Sequence, residues 1–119
     1  MADGAEADCI FCRIVAGEIP STKVYDDEQV YAFRDLNPGA PTHVLIVPKR
    51  HVRDIADPAA EDGATLVAIT HAANEVARQE GIDKSGYRLV WNVGPDAGQS
   101  VFHLHLHLLG GREMAWPPG

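Results

Sequence analysis

Three histidines in one short stretch of the chain are the residues best suited to chemistry. His103, His105 and His107 alternate with leucines between Phe102 and Leu109. A β-strand places successive side chains on opposite faces, so the alternation predicts a strand with the imidazoles on one face and the leucines on the other. The leucine face is expected in a core. The opposite face then carries three groups that can change charge near neutral pH.

This row of histidines has three interpretations. An ordinary surface strand would more often carry Thr, Lys or Glu, and a purification tag would be terminal and would lack interleaved leucines. A metal site is possible because imidazoles at i and i+2 share a face and suit zinc or copper. Catalysis is equally possible, with one imidazole attacking while its neighbours supply protons and charge. The stretch alone does not decide between metal binding and catalysis.

A pair of cysteines forms a second motif with chemical potential. Cys9 and Cys12 stand in a Cys-Ile-Phe-Cys arrangement. A structural disulfide is not expected in a cytosolic protein, and no strand precedes Cys9 as it would in a redox motif. The pair is therefore either half of a zinc site, which needs two further ligands such as histidines, or two packing cysteines.

Length and composition indicate one globular domain over residues 1–119, with 45% apolar and 23% charged residues. The apolar runs are too short to predict a membrane helix. A net charge of −7 disfavours nucleic-acid binding. Residues 1–7 are expected to be a disordered N-terminus and residues 112–119 a C-terminal tail. The acidic start does not resemble a signal peptide, so a cytoplasmic location is expected.

The elements that must position these motifs follow from periodicity and turn residues. Helical patterns cover residues 8–17, with Asp8 as N-cap, and residues 58–80. Strand patterns cover residues 24–25, 30–33, 43–47, 86–92 and the histidine stretch. The strands cluster rather than alternate with helices. This order predicts an α+β fold, in which an antiparallel five-stranded sheet carries one long and one short helix.

The stretch from His103 to Leu109 resembles the His-φ-His-φ-His-φ-φ signature of the histidine-triad nucleotide-binding proteins, φ being apolar. Its flanks resemble the branch of that family that hydrolyses nucleoside phosphoramidates. The resemblance runs from about Cys9 to the last residue. The supporting segments are Asp35-Leu36-Asn37-Pro38, Pro41-Thr42-His43, Asn92-Val93-Gly94, Gln99-Ser100-Val101, Gly110-Gly111-Arg112 and Trp116-Pro117-Pro118-Gly119.

The resemblance implies a hydrolase that cleaves purine nucleoside 5′-phosphoramidates at the P–N bond. His105 would attack the phosphorus and form a nucleotidyl-histidine intermediate. His103 and His107 would supply charge, and His107 or Ser100 would give a proton to the leaving amine. His43 matches a histidine that orients the triad, and no organic cofactor is implied.

The resemblance also assigns residues to a purine nucleotide ligand. Asp35 matches the carboxylate that accepts hydrogen bonds from both ribose hydroxyls, a role that suits a group with two acceptor oxygens. Five apolar residues, which would be read as core from the sequence alone, match positions that sandwich the base: Ile10, Phe11, Ile14, Phe33 and Leu45. The remaining nucleotide contacts fall on Leu36, Asn37, Asn92, Gly98, Gln99, Ser100, His105 and His107. Asn37 stands where relatives often have Ser.

Two further properties follow from relatives of this kind. Those with a cysteine pair tend to bind a structural zinc ion through two cysteines and two histidines, which here would be Cys9, Cys12, His51 and His103. Alternatively, His103 stays in the triad and the cysteines only pack. The family also forms homodimers in which the long helix and the strand over residues 87–92 join two sheets into one of ten strands.

Two other functions remain open. One is a dinucleoside polyphosphate hydrolase or nucleotidyl transferase that uses the same nucleophile. Those branches usually differ at the third histidine or in its flanks, so His107 and the Trp-Pro-Pro-Gly tail argue against it. The other is a nucleotide-binding scaffold protein with little activity.

Overall fold

Five antiparallel strands form one sheet in the computed structural model, which describes residues 6–119. Their order across the sheet is β1-β2-β3-β5-β4, which places β3 at the centre and β1 and β4 at the edges. The sheet and its main helix confirm the predicted α+β class. The strands are β1 (Lys23–Asp26), β2 (Val30–Arg34), β3 (Thr42–Pro48), β4 (Tyr87–Trp91) and β5 (Leu106–Gly110).

The central strand β3 contributes to two separate cores. Every residue of β3 is buried, as its nearly continuous apolar sequence predicts. Val44 and Ile46 face the main helix, whereas Leu45 and Val47 pack on the opposite face of the sheet with Phe11. Because side chains alternate along a strand, one segment anchors both layers.

The main helix, α2 (Gly63–Gln79), covers one face of the sheet with an apolar stripe that includes Ile69 and Val76. The helix predicted from residue 58 is divided, because Pro58–Glu61 forms a separate 3-10 helix. Asp62 has extended dihedral angles and its side chain accepts a hydrogen bond from the amide of Ala64. It is therefore the N-cap of α2 and interrupts the helix.

The short helix, α1 (Ile10–Val15), lies on the other face of the sheet, where Phe11 and Ile14 pack against β2 and β3. It is shorter than the predicted segment 8–17, and its N-cap is Cys9 rather than Asp8. The sulfur of Cys9 lies 3.3 Å from the amide nitrogen of Cys12 and accepts its hydrogen bond. The spacing of the two cysteines thus allows the first to cap the helix through the backbone amide of the second.

The histidine stretch is only partly a strand, which corrects the prediction that all three histidines share one strand face. β5 begins at Leu106, so His107 lies in it while His103 and His105 precede it. The amide of Leu104 donates to the carbonyl of Val52 at 2.6 Å instead of joining the sheet ladder. The leucine face is buried as predicted, with Leu104, Leu106 and Leu108 each at most 3% exposed.

The chain ends are held to this frame by a few hydrogen bonds. Residues 1–5 of the predicted disordered N-terminus lie outside the described residues, and the carbonyl of Glu6 accepts from the amide of Cys9 at 3.1 Å. In the C-terminal tail, Arg112 donates to the carbonyl of Gly39 at 2.9 Å, and Arg88 donates to the carbonyl of Ala115 at 3.0 Å. Within residues 6–119, no helix combines the length and apolar character needed to span a membrane.

Candidate functional site

His105 carries a free ring nitrogen, because its other nitrogen is bonded to the main chain. Nδ1 of His105 lies 2.7 Å from the carbonyl oxygen of His103. A carbonyl only accepts hydrogen bonds, so Nδ1 carries the hydrogen and Nε2 keeps its lone pair. Burial lowers the pKa of His105 below its ordinary value, which favours the neutral ring. A neutral imidazole with an unprotonated Nε2 is suited to nucleophilic attack.

His107 takes the opposite tautomer, which is set by two successive contacts. The amide of Gly39 donates to Nδ1 of His43 at 2.9 Å, so the hydrogen of a neutral His43 ring is on Nε2. That Nε2 lies 2.9 Å from Nδ1 of His107, which must accept. Burial lowers the pKa of His107 to about 4, and protonating His107 beside His105 and His43 would be further opposed by repulsion whenever either ring carried a charge. His107 is therefore neutral and presents Nε2–H as a donor.

Asp35 lies directly after β2, beside these histidines. One of its carboxylate oxygens accepts from the amide of Asn37 at 2.8 Å, and the other is 3.5 Å from Nε2 of His43. The side chain is about 20% exposed, so the carboxylate still borders solvent. A carboxylate offers more acceptor positions than these contacts use. It can therefore also accept hydrogen bonds from a ligand.

Four of the five apolar residues assigned to the base are buried, namely Phe11, Ile14, Phe33 and Leu45. They form the smaller core with Val47, as their composition alone suggests. The ring of Phe11 meets His105 edge-on, with centroids 5.1 Å apart. Ile10, by contrast, is 46% exposed, and Leu36 is 91% exposed. The smaller core therefore lies beside His105 through Phe11, and Ile10, the neighbour of Phe11 on α1, is open to solvent.

Gln99 has a role in shaping the loop before the histidines. Its side-chain oxygen accepts from the amide of Gly94 at 2.8 Å, and its nitrogen donates to the carbonyls of Arg53 and Val101, each at 3.2 Å. Gln99 is buried, so these three contacts fix the loop. Gly98 within it has φ of 81°, a left-handed conformation that favours glycine.

Ser100 and Asn92, both predicted to contact the nucleotide, have different neighbours in the structure. Ser100 is exposed and lines a surface cleft of about 290 Å³ together with Cys9, Ile10 and Phe102. The side-chain nitrogen Nδ2 of Asn92, directly after β4, is 3.5 Å from Nε2 of His107. Both atoms are donors in the tautomer assigned above, so this is a close approach and not a hydrogen bond. Asn37 is exposed beside Asp35. The predicted catalytic and nucleotide-binding residues thus lie on α1, on the strands β2, β3 and β5, and in the segments that follow β2 and β4.

His103 joins the cysteines instead of the two other triad histidines. Its Nδ1 lies 3.3 Å from the sulfur of Cys9 and 3.5 Å from that of Cys12, and Nδ1 of His51 lies 3.4 Å from the sulfur of Cys12. Two ligands of a tetrahedral zinc ion, one sulfur and one nitrogen, are separated by about 3.5 Å at standard bond lengths. The four side chains therefore fit a zinc ion in both chemistry and spacing.

The surroundings of this cluster favour metal ligation. Nε2 of His103 lies 2.8 Å from the carbonyl oxygen of Pro48, so it carries the hydrogen and Nδ1 is free to ligate. Burial lowers the pKa of His103 to about 4, which keeps its ligating nitrogen unprotonated. Burial raises the pKa of the Cys12 thiol to about 11, which opposes the thiolate unless a cation binds to it. Nε2 of His51 is 3.6 Å from a carboxylate oxygen of Glu6. The sequence-predicted set of Cys9, Cys12, His51 and His103 is thus brought together.

Three contributors to the site carry no side-chain signal in the sequence. Gly39 acts through its amide, while Pro48 and His103 act through their carbonyls. Backbone groups are present at almost every residue, so only the three-dimensional structure can single them out.

Comparison with known proteins places this geometry in a family. A sequence model of the HIT domain matches residues 16–114, and the chain belongs to the HIT domain family. The chain superposes on the crystal structure of a HIT family hydrolase from Legionella pneumophila with a TM-score of 0.90 and 52% sequence identity. The match covers 94% of this chain and 100% of that one.

Two further relatives are informative. A "14 kDa zinc-binding protein" of Zea mays is 53% identical over 114 residues, which is 92% of this chain and 87% of the maize protein. The structure of a histidine triad nucleotide-binding protein from Candida albicans has a TM-score of 0.80 at 33% identity, covering 92% of this chain and 83% of that one. The family predicted from the histidine stretch is confirmed, and the chain is similar to hydrolases within it.

Proposed function

We propose that the protein is a hydrolase of purine nucleoside 5′-phosphoramidates that cleaves the P–N bond through a covalent nucleotidyl-histidine intermediate. The observation that carries the proposal is the 2.7 Å contact between Nδ1 of His105 and the carbonyl oxygen of His103. Burial favours the neutral ring, and in that ring the contact leaves Nε2 unprotonated, which is the form a nucleophilic imidazole needs. The similarity to HIT family hydrolases supports the reaction class.

In the first step, Nε2 of His105 forms a bond to the α-phosphorus and the P–N bond breaks. The amine leaves with the bonding electrons and takes up a proton, which the exposed hydroxyl of Ser100 relays from solvent. His107 donates a hydrogen bond from Nε2 to a phosphoryl oxygen and so stabilises the charge that builds there. Loss of that proton would leave His107 as an imidazolate, because its Nδ1 already accepts from His43. His107 is therefore a hydrogen-bond donor in this step, and Ser100 is the proton relay.

In the second step, water attacks the same phosphorus and the Nε2–P bond breaks. The water gives up one proton by the Ser100 relay, and Nε2 of His105 recovers its lone pair. One water is consumed overall, and the products are the free amine and the nucleoside monophosphate. The tautomers of His105 and His107 are the same before and after the cycle, so each turnover begins from the geometry described above.

The nucleotide itself is proposed to lie between Asp35 and the smaller core. The carboxylate of Asp35 accepts hydrogen bonds from the ribose hydroxyls. The base packs against the apolar wall that includes Phe11, at the side where Ile10 is exposed. The similarity to a histidine triad nucleotide-binding protein supports a nucleotide ligand. The remaining proposed contacts are Ile14, Phe33, Leu36, Asn37, Leu45, Asn92, Gly98 and Gln99, the last through the shape of its loop.

We also propose that Cys9, Cys12, His51 and His103 bind one zinc ion. The sulfur–nitrogen distances of 3.3–3.5 Å and the maize relative named for zinc binding support this assignment. Four protein ligands complete a tetrahedron and leave no open position, which is typical of a structural site.

Two copies of the chain are proposed to pair through α2 and β4. β4 is an edge strand, and a free edge can pair with another strand. Apolar side chains are exposed on both elements, with Val67 at 68% and Leu89 at 47%. Burying these surfaces between two copies would join the sheets edge to edge.

A single experiment tests the reaction and its intermediate. The protein is mixed with a slowly hydrolysed adenosine phosphoramidate, quenched, and examined by intact mass spectrometry and peptide mapping. An added nucleotidyl mass on His105 is expected. His105→Asn should show no adduct, whereas His71→Asn, at an exposed position of α2, should behave as the wild type. No adduct together with no amine release would contradict the hydrolase proposal and favour a nucleotide-binding scaffold. Faster turnover of a diadenosine polyphosphate than of the phosphoramidate would favour the other hydrolase class.

A further inference from the structure

His103 belongs to two sites at once. Its side chain lies in the cysteine cluster, with Nδ1 3.3 Å from the sulfur of Cys9. Its main-chain carbonyl lies in the site of the proposed chemistry, 2.7 Å from Nδ1 of His105. One residue therefore connects the metal-binding cluster to the nitrogen that controls the tautomer of the proposed nucleophile.

The segment from residue 103 to 105 is not held by the sheet. β5 begins only at Leu106. Before it, Leu104 makes one backbone hydrogen bond to Val52, and the ring of His103 bonds to the carbonyl of Pro48. The carbonyl of His103 and the amide of Leu104 share one peptide plane, so the bond from Leu104 to Val52 also orients that carbonyl. Leu104 and Val52 directly follow His103 and His51, so the direction of the carbonyl depends on how firmly the side chains of these two cluster residues are anchored.

The strength of that anchor depends on the metal. Without an ion, the thiols of Cys9 and Cys12 offer His103 only weak hydrogen bonds, since S–H is a poor donor. Cys9, Cys12, His51 and His103 would each hold a zinc ion through one coordination bond, and Nδ1 of His103 would then be tethered far more firmly than by a thiol hydrogen bond. The contact between Nε2 of His103 and the carbonyl of Pro48 then fixes the ring plane as well.

We infer that the cluster of Cys9, Cys12, His51 and His103 positions the nucleophile in addition to stabilising the fold. When a metal ion joins the four ligands, the carbonyl of His103 holds the hydrogen of His105 on Nδ1. When the metal is lost, that carbonyl is released and His105 exchanges between tautomers, in one of which Nε2 is protonated and cannot attack. Hydrolysis would then depend on metal supply. The predicted loss of hydrolysis rests on the proposed function, whereas the predicted change in the tautomer of His105 does not.

Substitutions of Cys9 separate metal binding from helix capping. Cys9 caps α1 through its sulfur. Ser and Asp are both good N-caps, but only Asp is also a zinc ligand. Cys9→Ser should therefore keep α1 and weaken metal binding, whereas Cys9→Asp should keep both when zinc is in excess. Arg34→Gln serves as a stability control, because it removes a two-bond ion pair with Glu80 that touches neither site.

The tautomer of His105 is read directly by long-range ¹H–¹⁵N NMR of its ring nitrogens, alongside zinc content and turnover of an adenosine phosphoramidate. Zinc-loaded wild type, Cys9→Asp and Arg34→Gln should show a single tautomer with Nδ1 protonated. Cys9→Ser and chelator-treated wild type should show averaged ring shifts. Their kcat should be lower by roughly 10- to 100-fold, the range seen when a supporting hydrogen-bond partner is lost, with less change in KM.

Three outcomes would overturn the inference. The first is a wild-type protein that binds no zinc when zinc is supplied in excess. The second is an unchanged His105 tautomer in folded Cys9→Ser. The third is a kcat of Cys9→Ser equal to that of the wild type. If zinc controls the tautomer but the loaded protein releases no amine, the proposed function fails while the positioning role of the cluster stands. If amine is released at the same rate with and without zinc, the positioning role fails and the proposed function stands.

Discussion

The hydrogen bond between His43 and His107 runs in one direction, from Nε2 of His43 to Nδ1 of His107 across 2.9 Å. The direction follows from Gly39, whose amide occupies the other nitrogen of His43. His105 takes the opposite tautomer because its Nδ1 faces a carbonyl. Adjacent histidines on one surface therefore present different groups to a ligand, one a lone pair and the other an N–H. This difference is what allows one to act as nucleophile and the other as donor.

His105→Asn should lose phosphoramidate turnover by several orders of magnitude, since it removes the proposed covalent catalyst. Binding of adenosine monophosphate should change little, because the proposed ribose and base contacts lie elsewhere. Steady-state kinetics with a fluorogenic substrate and calorimetric titration with the monophosphate measure the two effects. Turnover near the wild-type rate would exclude His105 as the nucleophile.

Asp35→Ala should weaken binding of adenosine monophosphate by about 1–3 kcal/mol, the cost of losing hydrogen bonds to a charged group. A 2′,3′-dideoxy nucleotide should bind wild type and variant about equally, because it lacks the hydroxyls that the carboxylate is proposed to hold. Asp35→Asn is the matched control for folding, since its side-chain oxygen can still accept from the amide of Asn37. An Asp35→Ala protein that still prefers the ribose ligand would show that Asp35 is not the ribose contact.

Leu89→Lys should convert the proposed homodimer to a monomer, because it places a charge on the exposed face of the edge strand β4. Light scattering at micromolar concentration should give twice the chain mass for the wild type and one chain mass for the variant. Lys23, on the opposite edge strand, provides the control: Lys23→Glu should remain dimeric. A wild-type mass of one chain would contradict the pairing.

The order and type of the elements could be predicted largely from patterns in the sequence. The apolar run from His43 to Val47 predicts a central strand, and β3 is buried throughout. The alternation of histidine and leucine, however, predicts a longer strand than the structure contains. The buried leucines are correctly identified because burial depends on their side chains. Strand pairing depends on backbone partners, and Leu104 bonds to Val52 outside the sheet. An N-cap likewise depends on a backbone partner, here the amide of Cys12. The cysteine spacing therefore suggests two metal ligands but does not reveal that Cys9 caps α1.

The site could be predicted to the level of residue types but not of tautomers. His103 is equivalent to His105 in the sequence pattern, yet it faces the cysteines and is fully buried. The zinc set itself could be inferred from the family resemblance. The link between the two sites could not, because it passes through the carbonyl of His103, which has no signature in the sequence.

The depressed pKa of His107 predicts a specific dependence of stability on pH. In the unfolded chain a histidine titrates near its ordinary value of about 6.5, whereas in the fold burial, together with its neighbours His105 and His43, lowers the pKa of His107 to about 4. The negative charge of Asp35 opposes this shift but does not cancel it. Between these two values the unfolded chain binds more protons than the folded protein, so acid favours unfolding. The stability contributed by the neutral ring is fully present above about pH 6.5 and is lost as the pH falls towards 4.

His107→Asn isolates this contribution, because the side-chain oxygen of Asn can accept from Nε2 of His43 but does not titrate. Denaturant unfolding of both proteins, in the same metal state, should be measured between pH 7.5 and about 3. The wild type should lose more free energy of unfolding over that interval than the variant, and the difference should level off below pH 4. Parallel pH profiles would show that His107 is protonated in the folded protein as readily as in the unfolded chain. The neutral donor assigned to it would then be wrong.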